Sequence, residues 1–267
     1  MHSPFSPTPI DPDMLLLGYR SGIFPMADAR DDPQVFWVEP RRRAILPLDG
    51  LHLSHSLAKT LRQGRFEVTC NAAFDQVIEL CAAPRQDSAD TWISERIAAT
   101  YRAMHVRGVA HSIECWRADD AGGRSLVGGL YGVGFDRVFC GESMFSRATD
   151  ASKVALAWLV AALRFAGCEL LDCQFITDHL ASLGAVEISQ EQYRLRLADA
   201  QRAYPGVGEG RGVETGAAGA GVEVAAGGAL VADWLSLPEG FAALLAAAEA
   251  SSSSPGNFIA QSLIHTS

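Results

Sequence analysis

Apolar positions change their period along the chain, and each change marks an element. "MLLLGYR" (14 to 20) follows Asp11 and Pro12, a helix start, and gives way at Gly22 to "GIFP", where the chain turns. "VFWV" and "RRAILPL" read as two strands around Pro40, a hairpin that completes a small N-terminal unit, residues 1–48. Beyond it the pattern is orderly. The spacing predicts a helix from Ser54 to Gln63 closed by Gly64, the strand "RFEVTC", the helix "AAFDQVIELCAA", and a helix from Ser94 to Arg107 closed by Gly108. Three strands follow, "HSIECWR", "SLVGGLYGVGF" and "RVFCGESMF". Then come a helix from Asp150 to Ala166, the strand "LLDCQF", a short helix near Asp178 to Leu183, and a last strand and helix in "AVEISQEQYRLRLADA".

The order β-α-α-β-β-β-α-β-α-β is an α+β plan with a mixed sheet flanked by helices, assigned to residues 49–203. From about Pro205 the chain turns Gly/Ala-rich and holds too little large apolar surface to order itself, so residues 204–267 read as a largely disordered Gly/Ala/Ser-rich tail. One short helix is expected within it, in "EGFAALLAAAEA", started by Ser236 and Pro238 and broken by "SSSSPG".

Composition adds bounds. The 267 residues are 48% hydrophobic, enough for a core, with no apolar run of the ~18 residues that cross a bilayer and no signal-peptide pattern at the N-terminus, so a cytoplasmic protein with no membrane partner is expected. Net charge is −9, of which the chain from Ala203 onward carries −5; basic groups bunch at Arg41, Arg42, Arg43 and at Lys59, Arg62, Arg65. Such runs are commonly solvated faces, although a local basic patch stays open. The six cysteines stand singly, without metal-ligand spacing, and read as reduced core thiols; no metal site is expected.

Chemistry concentrates at two strands. In "LLDCQF", period two puts Asp172 and Gln174 on one face at a strand end, where a carboxylate and an amide could orient an amine and an attacked ester. A turn-capping Asp172 and a surface Gln174 are equally open. In "VFCGESMFS" (138 to 146), strict alternation aligns Cys140, Glu142, Met144 and Ser146, mixing an acid with apolar groups. No covalent nucleophile is evident, since Ser143 lacks a G-x-S-x-G elbow and the histidines stand without identifiable partners; His105 and His111 read as structural. "GGLYGVG" lies within a strand, so its glycines mark a bulge or a close backbone approach to a substrate.

The order of elements resembles the GCN5-related N-acetyltransferase fold. Those enzymes hold coenzyme A pyrophosphate on a glycine-rich turn, whereas "SMFSRATDASK" has no glycine and puts Asp150 at the helix start, which speaks against an acyl-CoA donor. Six motifs in order, "GYRSGIFPM", "FWVEPRRRAIL", "TWISERIAATYRAMHVRGVAHSIECW", "LVGGLYGV", "FCGESMFSRATDASKVAL" and "DCQFITDHLASLGA", resemble the leucyl/phenylalanyl-tRNA-protein transferase family over residues 14–199.

That resemblance implies transfer of Leu or Phe, less often Met, from aminoacyl-tRNA to the α-amino group of proteins beginning with Arg or Lys, marking them for an N-degron pathway. It implies no cofactor, and a monomer is expected. Carried over by position, the reaction centre is Asp172 and Gln174. The donor's side chain would meet Leu130, Phe139, Met144, Leu156, Leu159, Leu163 and Leu171, with Glu142 and Ser146 at the rim as a counter-charge for ammonium groups. Phe139 and Met144 can share that pocket only if the strand bulges, with Gly141 the expected place. Tyr19, Met26 and Trp92 would face the terminal adenosine, Met26 standing where many members have Trp. Arg41, Arg42, Arg43, Lys59, Arg62 and Lys153 are candidates for tRNA phosphates. A non-catalytic tRNA-binding module is the alternative of another class.

Overall fold

The computed structural model describes residues 8–32, 34–84, 91–119, 122–202 and 235–264. Nine helices and nine strands are found among them: α1 (Pro12–Arg20), β1 (Phe24–Met26), β2 (Phe36–Val38), β3 (Arg42–Ile45), α2 (His55–Arg62), β4 (Glu67–Cys70), α3 (Phe74–Cys81), α4 (Glu95–Val106), β5 (Ala110–Ala118), β6 (Arg124–Phe135), β7 (Val138–Ser146), α5 (Ala151–Phe165), β8 (Leu170–Gln174), α6 (Asp178–Ser182), β9 (Val186–Ser189), α7 (Gln190–Ala200), α8 (Leu237–Ala250) and α9 (Pro255–Ile264). Several helices begin on a side-chain cap, whereas Asp150 before α5 sits in the left-handed region at φ 68° and makes no side-chain cap bond. Asp11, Ser54, Ser94 and Thr177 accept backbone N–H bonds from the first turn of α1, α2, α4 and α6, and Ser189 with Gln192 closes a capping box on α7.

Seven strands form one sheet in the order β4-β5-β6-β7-β8-β3-β9, antiparallel throughout except for the parallel pair β7 and β8. A parallel pair needs a crossover, and α5 supplies it. On one side of the sheet α2 and α5, with α8 and α9 outside them, share a core with it; on the other side α1, α3, α4 and α7 do. The architecture is thus α+β with a mixed sheet between helical layers.

Three expectations change. Phe24–Met26 is a strand rather than part of a turn, and it pairs with β2 in a separate two-stranded sheet. The segment "RRAI" does not form a hairpin with "FWV"; it enters the large sheet between β8 and β9. Its Ala44 and Ile45 are fully buried there, so a strand assigned to the N-terminal unit completes the central sheet.

The third concerns the tail. Residues 203–234, including the Gly/Ala-rich stretch, lie outside the described residues, but 237–250 and 255–264 are two helices docked on α5 and α2. Leu237, Phe241, Leu244, Ile259 and Leu263 are buried, and Phe241 stacks on Trp158 with centroids 5.4 Å apart. The approach is close: a Cβ on Gly240 would lie 2.5 Å from the Ala162 carbonyl oxygen. This cover explains why α5 is apolar all round, with Ala151, Ser152 and Val154 to Leu163 all buried.

Candidate active site

The site forms where β7 and β8 part. Their pairing runs from Val138 and Leu170 to Cys140 and Asp172 and then ends. Beyond that point β7 bulges: Gly141 opposes Gly132 and Ser143 opposes Tyr131, leaving Glu142 as the extra residue. The bulge resets the alternation. Phe139 and Met144 therefore both join the core on the α5 side, while Cys140 and Phe145 join the core on the other side. Gly128 lets β6 pass under the start of α5, because a Cβ there would lie 2.5 Å from that of Ala151; this is protein against protein, not against a substrate.

The gap opens into a cavity of about 860 Å³. Leu130, Met144, Leu156, Leu159 and Leu171 give it an apolar wall, Glu142, Ser146 and Gln174 line it with polar groups, and Met26 and Trp92 border it from the N-terminal side. Volume and mixed lining suit a small-molecule portion of a larger ligand. Phe139 and Leu163 do not line it; both are buried core residues. For Leu163 the reason is distance along the helix: seven residues past Leu156 it keeps nearly the same face but lies about two turns, roughly 10 Å, further from the opening.

Glu142 is not a rim counter-charge. It is buried, accepts a hydrogen bond from Tyr19 Oη at 2.8 Å on Oε1 and from Tyr101 Oη at 2.8 Å on Oε2, and accepts from Gln174 Nε2 at 3.0 Å on Oε1. The two phenol oxygens are themselves 2.5 Å apart. The two phenol protons can serve only two of these three oxygen–oxygen contacts at a time. Burial pushes the Glu142 carboxyl up to about 7, against the opposing pull of the Tyr101 and Tyr19 hydrogen bonds. Tyr19 is consumed in this network and fully buried, so it has no face for adenine stacking.

Asp172 is sealed behind the cavity wall. Arg43 Nε donates to Oδ1 at 2.9 Å and Nη2 to Oδ2 at 2.6 Å; Tyr193 Oη donates to Oδ2 at 3.0 Å; the Gln174 N–H donates to Oδ1 at 2.9 Å. Both oxygens are therefore occupied, and the residue is 0% exposed. Asp172 thus fixes the chain rather than presenting a base. The Gln174 backbone sits in the left-handed region at φ 57°, uncommon for glutamine, and the Asp172 bond holds it there while its side chain turns to Glu142.

Arg43 is correspondingly unable to meet a phosphate. It is 1% exposed, lies over Phe24 and Tyr193 at 4.7 and 4.4 Å, and donates from Nη1 to the Gly22 carbonyl at 3.1 Å. Arg42 pairs with Glu187 at 3.0 Å, and Lys153 with Asp150 at 3.3 Å, the latter supplying the cation's partner within its own helix turn. Arg41, Lys59 and Arg62 are exposed. His105 stacks on Phe74 and bonds the Ala110 carbonyl, and His111 bonds Asn71, so both are structural. The six cysteines are free thiols. His179, Phe175 and Arg147, absent from the sequence reading, also line the cavity. No local spacing could have found them, because the turn after β7 brings Arg147 to the opening, and the turn after β8 brings Phe175 and then α6 with His179. Among the described residues no cluster of His, Cys, Asp or Glu is placed to hold a metal, and no helix is long and apolar enough to cross a membrane.

Comparison with known proteins agrees with these elements. The family model described as leucyl/phenylalanyl-tRNA protein transferase matches residues 45–198, and its N-terminal domain matches residues 8–41. The helices α8 and α9 lie beyond both. A leucyl/phenylalanyl-tRNA–protein transferase of Novosphingobium aromaticivorans is 63% identical over 99% of this chain and 100% of its own. Proteins of the same name from Zymomonas mobilis and Rhizorhabdus wittichii are 56% and 57% identical, over 73% and 76% of this chain and 71% and 80% of theirs. A family match over more than half the chain, with a full-length relative at that identity, means that the chain belongs to the leucyl/phenylalanyl-tRNA–protein transferases and is an aminoacyltransferase.

Proposed function

We propose that the protein moves Leu or Phe, and less often Met, from aminoacyl-tRNA to the α-amino group of proteins beginning with Arg or Lys, and that the products enter an N-degron pathway in the cytoplasm. The observation that carries this is one continuous cavity with an apolar end against α5 and a polar end at Gln174 and Glu142. The donor's side chain fills the first and its ester lies at the second. A side chain unbranched at Cβ can enter between Leu156, Leu159 and Met144, and the flexible Met144 tolerates several shapes.

Met26 and Trp92 take the terminal adenosine; a base stacked on an aromatic ring is stabilised by about 1 to 3 kcal/mol. Exposed Arg41, Lys59 and Arg62 suit the tRNA phosphates. Gln174 orients the reacting groups, and Asp172, through Arg43 and the Gln174 N–H, positions Gln174. The strand order is compatible with a relationship to the GCN5-related acetyltransferase fold. An acyl-CoA donor is disfavoured by the glycine-free turn from β7 to α5, where Asp150 carries negative charge.

The test is transfer of labelled Leu or Phe from charged tRNA to a peptide beginning with Arg, beside the same peptide beginning with Ala. Label on the Arg peptide alone is expected. Equal labelling of both would overturn the acceptor assignment, and tRNA binding without transfer to either would return the chain to a binding role.

A further inference from the structure

We propose that His179 is a further catalytic residue, carrying the proton given up by the attacking α-amine to the ribose oxygen that leaves. The inference rests on the reading that the donor ester lies at the polar end of the cavity. His179 stands on the short helix α6, capped by Thr177, and lines the same cavity as Gln174 and Glu142. Its imidazole has no hydrogen-bond partner among the described residues; only its backbone carbonyl is engaged, by the Ser182 hydroxyl.

Elimination points the same way. Of the titratable side chains among the described cavity residues, Glu142 has both oxygens bonded to Tyr19, Tyr101 and Gln174. Burial raises the Cys173 thiol to about 12 and holds the Tyr131 phenol well above its ordinary value, so both keep their protons. Arg147 offers donors only. Asp172 is sealed off by Arg43 and Tyr193. An accessible nitrogen lone pair is left on His179.

The groups facing it favour the neutral ring. Burial, and then the Lys153 ammonium on α5, hold the imidazole below its ordinary value. Lys153 is partly balanced by Asp150 at 3.3 Å, Asp178 precedes His179 on α6, and Arg147 lies on the cavity wall. A neutral imidazole is the form that accepts a proton.

The step balances without another reactant. The neutral amine attacks the ester carbonyl and the C–N bond forms. One N–H proton passes to the imidazole, the carbonyl–ribose C–O bond breaks, and the imidazole returns that proton to the ribose oxygen. Amide and free ribose hydroxyl result, with His179 neutral again.

The test is single-turnover transfer from leucyl-tRNA to a peptide beginning with Arg, by wild type, His179→Ala and His179→Asn. Expected is a rate about 100-fold lower in His179→Ala, a KM for leucyl-tRNA within about two-fold of wild type, partial recovery on adding imidazole, and no recovery in His179→Asn. A wild-type rate in His179→Ala, a loss confined to KM, or full activity in His179→Asn would each overturn the proposal. Absence of recovery by imidazole would overturn it too. Failure of the wild type to label the peptide would instead overturn the acceptor assignment, leaving the two readings separable.

Discussion

Replacing Asp172 by Ala leaves a guanidinium buried without its counter-charge. Arg43 loses the acceptors of Nε and Nη2, and the Tyr193 hydroxyl and the Gln174 N–H lose theirs, in a place where Arg43 is 1% and Asp172 0% exposed. Breaking one half of a buried pair costs about 3 to 5 kcal/mol, and in a protein of this size each kcal/mol moves Tm by about 2 to 4 °C, so a fall of roughly 6 to 20 °C is expected. Pairing Asp172→Leu with Arg43→Met removes both charges and should recover most of that loss. Thermal or urea unfolding of Asp172→Leu, Arg43→Met and the double variant, read as a double-mutant cycle, measures the coupling. Transfer should fall together with stability, because Gln174 loses the bond that holds its left-handed backbone. Asp172→Ala within about 0.5 kcal/mol of wild type, or zero coupling, would refute the reasoning. An Asp172→Ala protein that is stable yet inactive would make Asp172 a group that contacts substrate.

Other expectations follow from the same geometry. The Glu142 carboxyl is raised from 4.5 to about 7, so as pH climbs the unfolded chain ionises first, and stability present below pH 4.5 is lost up to about pH 7. At about 1.4 kcal/mol per unit this is about 3 kcal/mol; melting curves from pH 4 to 8 should show it in wild type and not in Glu142→Gln, and parallel curves would contradict it. Met144→Ala should lower kcat/KM for Leu and Phe donors together, by about 10-fold or more, with unchanged transfer removing it from the wall. Leu163→Ala, in contrast, should lose about 2 to 5 kcal/mol of stability while keeping the ratio of Leu to Phe transfer, and a changed ratio would return Leu163 to the pocket. Tyr131→Phe should not lower stability, because the buried Tyr131 hydroxyl has no partner among the described residues; a loss beyond about 1 kcal/mol in urea unfolding would reveal one.

Much of the catalytic sheet was legible because its helices carry strong local signals, such as Ser54 and Gly64 around α2 and Ser94 and Gly108 around α4. Alternation also limited the Phe139 and Met144 problem to a bulge near Gly141, and the extra residue is its neighbour Glu142. What escaped is non-local. The run Arg41 to Arg43 reads as a solvated patch, and only the pairing of β3 with β8 shows that its last member is enclosed by Phe24, Tyr193 and Asp172. Tyr19 invites a stacking role, yet its hydroxyl, linked to Tyr101 and Glu142 across more than eighty residues, decides its place. The helix α9 starts at Pro255 inside "SSSSPG", which reads as a breaker, and its apolar residues acquire meaning only against α2 and α5. Phe24–Met26 is too short, and holds a proline, to announce itself as a strand.

The central claim is that the donor's side chain sits against α5 while its carbonyl reaches Gln174. It is tested most directly by a crystal structure with leucine joined through a stable amide to 3′-amino-3′-deoxyadenosine, in which nitrogen replaces the ester oxygen. The account requires the leucine side chain between Met144, Leu156 and Leu159, the amide carbonyl within hydrogen-bond reach of Gln174 and the base against Met26 and Trp92. Density for the leucine outside that cavity, or with its carbonyl turned away from Gln174, would contradict it.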